Sequence, residues 1–297
     1  MRDIPFVDTH FHLYDLTNPK LRYSWLEPGT IHPLLGDVEP VKAQHYWVDN
    51  YIAEIRFANV PKAIHVQAAL DIPDPVEETR WLQAFADRAG YPHGIVAECH
   101  LAQPDAERVL DRHSEFANMR GIRDLVEGED LENPAWKRGF SMLSRHNYVS
   151  CIDTTFEHFP KVKALAAEHP ETIIVLDHCG YPRNDFDGYF DAWRSALEDL
   201  AEAENVHIKI SGIGMFVPVL QQTPQRFWTT PEIQPWVLAC IDAFKPSRVV
   251  FGTNWPVDRM YSSYPDIVNA YRAILEPYSD AEAAAMFSAN AERLFRI

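Results

Sequence analysis

Two histidines one residue apart, His10 and His12, follow a short apolar run at residues 4–7 and the pair Asp8-Thr9. Alternate residues of an extended strand face the same side, so the two imidazoles aim at one point. A metal ion or a polarised carbonyl requires that arrangement. By itself a His-x-His also arises by chance at a strand end. Its weight comes from the other polar residues that end apolar runs: Gln67, Glu98 with His100, Arg123, Asp153, His178, Lys209 with Ser211, and Asn254 with Asp258. A lone polar residue after a strand is usually a turn or cap residue. Eight runs ending in this way point to a shared site.

The elements that must position these groups alternate. Besides the first run, β-prone stretches cover residues 63–69, 94–101, 121–126, 148–153, 172–178, 206–212 and 248–252. Helical spacing is read between them, over 46–58, 76–88, a helix opened by Pro104, 134–146, 159–168, 188–203 and 231–244, and again from 265 to the end. Unbroken apolar strands separated by helices imply a parallel sheet covered on both faces. Eight such units in 297 residues predict an α/β fold, a single (β/α)8 TIM-type barrel forming one domain over 1–297. The chemistry of such a barrel lies at the C-terminal ends of its strands. A long first connection, about 13–45, is rich in Pro, Tyr and Trp and reads as a lid or pocket wall. No glycine-rich phosphate-binding motif follows the first strand, which argues against a dinucleotide-binding fold.

Composition sets the boundaries. With 43 acidic and 27 basic residues the formal charge is −16, which argues against nucleic acid and anionic membranes as partners. Neither a signal-peptide pattern nor a bilayer-length apolar run is read, and the four cysteines are widely spaced. The expectation is a cytoplasmic protein with reduced thiols and a small-molecule substrate; a homo-oligomer is compatible with all of this.

Taken together, Thr9-His10-Phe11-His12, Leu176-Asp177-His178-Cys179-Gly180, Lys209-Ile210-Ser211-Gly212 and the segment from Phe251-Gly252-Thr253-Asn254 through Trp255-Pro256-Val257-Asp258 resemble the amidohydrolase superfamily. The likeness is to its lactonase branch, which includes sugar-acid lactonases and pyrone-dicarboxylate lactonase. Tyr23-Ser24-Trp25-Leu26 and His65-Val66-Gln67-Ala68 match that branch too. The resemblance implies a hydrolase in which His10, His12 and His178 bind one divalent metal, zinc first, or hold a lactone carbonyl without metal. It also implies a strand-eight aspartate that activates water, and here that position is Asn254. An amide exchanges hydrogen bonds but takes no proton at working pH. Asp258 or Asp153 is therefore expected to replace it as base, with Glu98 and Asp177 also near strand ends. Trp25, Gln67, Arg123, Lys209 and Trp255 are expected to contact substrate, Arg123 as a bidentate partner. His65, His100 and His207 are read as structural. Opening of a small lactone leads; a metal-dependent non-oxidative decarboxylase and a non-catalytic binding barrel stay open.

Overall fold

A computed structural model describes residues 4–32, 35–42, 44–126, 128–183, 185–215 and 228–297. Eight strands pair in parallel in chain order: β1 (Val7–Phe11), β2 (Lys62–Val66), β3 (Gly94–Ala97), β4 (Met119–Arg123), β5 (Val149–Ile152), β6 (Ile174–Leu176), β7 (Val206–Ile210) and β8 (Val249–Phe251). The circle closes just beyond β8. There Asn254 N donates to the His10 carbonyl at 2.7 Å and His12 N to the Trp255 carbonyl at 2.7 Å. Helices cover the outside: α1 (Val48–Ile55), α2 (Val76–Ala89), α3 (Ala106–His113), α4 (Pro134–Phe140), α5 (Phe159–Glu168), α6 (Tyr189–Leu200), α7 (Thr230–Phe244) and α8 (Tyr264–Ile274). The TIM-type barrel expected from the alternation is the fold observed.

Several element ends move inward. Pro104 precedes α3 rather than opening it, because Asp105 is the cap. The strand expected over 172–178 stops at Leu176, where His178 and Cys179 turn left-handed with φ of 53° and 56°. Among the described residues no helix is long and apolar enough to cross a membrane.

The barrel interior is layered. Val7, Ile64, Val66, Val96, Val149, Val175 and Val250 fill its lower end, and Leu294 and Phe295 of the C-terminal helix Asn290–Phe295 plug it. Each such buried side chain contributes about 1.5–3 kcal/mol, so this apolar layer anchors the polar one above.

A bulge in β1 decides which residues reach that upper layer. Asp8 pairs with Ala63 and Phe11 with His65, so two β1 residues stand against the single Ile64. Strict alternation would turn Val7, Thr9 and Phe11 inward. The extra residue keeps Val7 in the lower core but sends Phe11 outward onto Tyr51, ring centroids 4.0 Å apart. His10 and His12 therefore face inside.

The long first connection is largely folded. Tyr14–Asp15 pairs with His45–Tyr46 and Ile31–His32 with Gly36–Asp37, while Tyr23, Leu26, Val38 and Val41 are buried. The Tyr14 hydroxyl donates to the Val41 carbonyl, and Trp25 Nε1 to the Ala68 carbonyl at 2.9 Å. Positions 33, 34 and 43 of that connection lie outside the described residues.

Candidate active site

Three imidazoles meet at the C-terminal end of the barrel. The His10 ring centroid lies 4.9 Å from that of His12 and 4.5 Å from that of His178. This closeness needs two glycines. A Cβ on Gly252 would fall 2.7 Å from His10 Cβ, and one on Gly212, where φ is +59°, would fall 2.5 Å from His178 Nδ1.

Each ring has a different environment. His12 Nδ1 donates to the Val66 carbonyl at 2.8 Å, leaving Nε2 3.2 Å from Asn254 Oδ1. Burial, then the Arg123 charge, pushes His12 down to about 3. His178 Nδ1 lies 3.0 Å from Ser211 Oγ and its Nε2 3.9 Å from Asp153 Oδ1. Burial brings His178 down to about 4 against the pull of Asp153. His10 is fully buried, and neither ring nitrogen has a hydrogen-bond partner among the described residues. Its Nδ1 lies 3.6 Å from Asp177 Oδ2, and burial with the neighbouring His178 holds it well below the usual histidine range. All three imidazoles are neutral at pH 7.

Below them lies a buried ion pair. Lys209 Nζ is 2.7 Å from Asp177 Oδ1 and 3.6 Å from Cys151 Sγ, over the Phe295 ring. Burial lifts Asp177 to about 6 while Lys209 pulls it back. Lys209 is therefore beneath the histidines rather than on a substrate wall, contrary to the expectation, because the inward face of β7 points to the barrel axis.

Beside the histidines, Arg123 is locked by Gln67. Its Nε and Nη2 donate to Gln67 Oε1 at 3.0 and 2.7 Å, and Nη2 also to the Gln67 carbonyl at 2.6 Å. Nη1 faces Asp153 Oδ2 at 3.6 Å. Burial pushes Asp153 up, but Arg123, His178 and a bond from the Tyr181 hydroxyl outweigh it and keep Asp153 below the usual range.

Asn254, at φ 55°, donates from Nδ2 to Asp258 Oδ2 at 2.7 Å. Burial lifts Asp258 to about 8 despite that bond and one from the Gly214 backbone. A cavity of about 240 Å³ opens above. His12, Gln67, Arg123, His178, Asn254 and Trp25 line it, joined by Tyr181, Met215, Leu35 and His32. Asp258 and Trp255 are not on its wall: the first lies behind Asn254, and the second packs on Tyr264 and Arg259. Glu98, also off that wall, is lifted to about 7 by burial. Tyr181 and Met215 were not singled out in the sequence. Tyr181 continues the segment after His178, whereas nothing near Met215 signalled it.

The donor chemistry fits a divalent cation in part. Two ligand atoms each about 2.1 Å from one ion lie roughly 3–3.5 Å apart. His12 Nε2 and Asn254 Oδ1 are 3.2 Å apart. Among the described residues the buried His10 nitrogens have no hydrogen-bond partner, which leaves their lone pair and N–H unspent within the protein. Yet among the described residues no set of three or more His, Cys, Asp or Glu is gathered as a metal site, so the expected three-histidine ligand set is not assembled.

An amidohydrolase family model matches residues 7–297. The chain belongs to the amidohydrolase family. Within it the chain is 36% identical, over the full length of both, to the uncharacterized protein y4mH of Sinorhizobium fredii. It is 25% identical to an L-fucono-1,5-lactonase of Burkholderia ambifaria, covering 98% of this chain and 95% of that one. The solved structure of a Burkholderia multivorans amidohydrolase with bound zinc superposes with a TM-score of 0.81 at 25% identity, covering 99% of each chain.

Proposed function

We propose that this amidohydrolase opens a small lactone by adding water to the ring ester. One observation carries the reading: Asp153 lies between the Gln67-locked Arg123 and His178, which hold its carboxyl below its usual range. Both of those residues line the cavity, while Asp153 itself sits behind that wall. Likeness to sugar-acid lactonases supports it. The cavity has room for a single small ring, and Trp25, Leu35 and Met215 supply apolar parts of its wall.

The proposed roles follow from the geometry. Arg123 uses Nε and Nη2 on Gln67, so Nη1 is the edge it offers to a substrate carbonyl or hydroxyl. A water near His178 Nε2 and Asp153 Oδ1 attacks the carbonyl carbon and Asp153 takes its proton. The ester C–O bond then breaks, and the proton passes to the departing ring oxygen, giving a hydroxy acid. The oxyanion is stabilised by donors already in place. His12 and Asn254, with His10 or His178, are the residues that would hold a divalent ion, zinc first. Such an ion would supply Lewis-acid polarisation of the carbonyl.

The test is a lactone panel with acid release followed by indicator. Wild type should open at least one sugar-acid lactone, and Asp153→Asn should lower kcat by about 10²–10⁴-fold. Full turnover in the variant removes Asp153 from the role. Release of CO2 in place of ring opening, or tight binding without product, would replace the lactonase reading.

A further inference from the structure

Asp153 is given the water's proton in the lactone reading, yet it stands behind the cavity wall. A proton that reaches it from a bound lactone crosses a residue that both lines the wall and adjoins Asp153. Among the described residues there are three. Arg123 Nη1 is 3.6 Å from Asp153 Oδ2, but a guanidinium does not give up a proton in proteins. His178 Nε2 is 3.9 Å from Asp153 Oδ1, beyond hydrogen-bond reach. Tyr181 is the third: it lines the cavity, and its hydroxyl donates to Asp153 Oδ1. A phenol oxygen donates one hydrogen bond and accepts another, so it can receive a proton on one side while passing one on from the other.

Backbone strain is concentrated where that ring is placed. Four successive residues, His178, Cys179, Gly180 and Tyr181, have φ of 53°, 56°, 65° and 50°. Three of them carry side chains that adopt this left-handed region only at a cost, and such strain gathers at working sites. The turn is closed by Tyr181 N, which donates to the His178 carbonyl at 2.9 Å, and by the Tyr189 hydroxyl, which donates to the Tyr181 carbonyl at 3.3 Å. The Tyr181 ring then meets that of His178 edge-on, centroids 5.3 Å apart.

We propose that the Tyr181 hydroxyl is the proton relay between the cavity and Asp153. This rests on the lactone reading. As water adds to the carbonyl carbon, the carbonyl π pair moves to its oxygen. One water proton goes to Tyr181 Oη while the phenol's own proton goes to Asp153 Oδ1. When the ring C–O bond breaks, its electron pair stays with the ring oxygen and the carbonyl re-forms. The ring oxygen takes the Tyr181 proton as Asp153 returns its own. Tyr181 is neutral before and after each transfer, Asp153 ends as the carboxylate it began as, and water and lactone have become a hydroxy acid.

The experiment is steady-state kinetics of Tyr181→Phe, Asp153→Asn and the double variant on the lactone that wild type opens fastest. Tyr181→Phe removes a single oxygen and should lower kcat about 10²-fold, with KM changed less than about threefold. In the Asp153→Asn background it should cost less than about threefold more, because residues that act as a unit are not additive. Unchanged kcat would overturn the proposal, as would penalties that multiply in the double variant, or a rise in KM in place of the fall in kcat. Should the variants not fold, wild type in H2O–D2O mixtures decides: a kcat that curves with deuterium content marks two protons moving together, and a straight line sinks the relay. A wild type that opens no lactone is a separate failure, which removes the lactone reading and the relay with it before any variant is compared.

Discussion

The two faces of β1 treat buried polar groups in opposite ways. On the outer face, Asp8 accepts five hydrogen bonds: from His10 N and Thr253 N, from Thr253 Oγ1, and from the Tyr51 and Tyr264 hydroxyls, at 2.6–3.2 Å. On the inner face, His10 is as deeply buried, and among the described residues neither ring nitrogen has a hydrogen-bond partner. A buried carboxylate with every lone pair occupied ties strands together. A buried imidazole with none occupied is expensive to keep unless something else binds it. Saturation on one face marks architecture, and the lack of it on the other marks the site.

The largest effect expected from this contrast is on His10. His10→Leu should lower lactone turnover by about 10²–10⁴-fold while leaving stability unchanged or slightly raised, because an apolar side chain has no polar atoms to leave unpartnered. Parallel loss of turnover and denaturant midpoint would show that His10 is structural after all. Asp8→Leu should do the reverse. Stranding the hydroxyls of Tyr51, Tyr264 and Thr253 should cost about 3–5 kcal/mol in urea unfolding, as removing one partner of a buried charged network does. A loss below ~1 kcal/mol would mean that the five bonds are not what holds β1 to β8.

A smaller effect is expected where the faces meet the cavity. Arg123→Lys keeps the charge but not the fork that grips Gln67, so KM should rise about tenfold with kcat changed less. Equal falls in kcat would place Arg123 on the transition state instead. A pH-dependent effect concerns Glu78, another buried carboxyl held by backbone. Its Oε1 accepts from Ala68 N and Ala69 N, beside Gln67, and burial lifts it to about 8. Folding thus favours its protonated form. That contribution is complete below the unfolded value of about 4.3 and is lost as pH rises through about 8. Glu78→Gln should flatten the fall in Tm between pH 5 and 8 while leaving Tm near pH 5 unchanged. An unaltered slope would assign the fall to Asp258 or Glu98.

Much of this site is written in the chain. The order of eight apolar runs, and the polar residue after each, already places His12, Gln67, Arg123, Asp153, His178 and Asn254 around one end of a barrel. Strand periodicity and the parallel crossover rule leave few other arrangements. Lys209 lies below the pocket, beside Asp177 and Phe295, a depth its neighbours do not reveal because they tell only that it lies in a strand. Trp255 and Asp258 stand close to Asn254 in sequence, yet the turn beyond β8 carries both off the pocket wall.

Local residue pattern thus determines which groups enter the barrel and in what order around it, since alternation and helix spacing act over a few neighbours. Tertiary structure alone decides which way they face and what they touch. The β1 bulge that turns His10 and His12 inward exists only against β2. Likewise, Asn254 meets His12, 242 positions earlier in the chain, only because the barrel closes between β8 and β1.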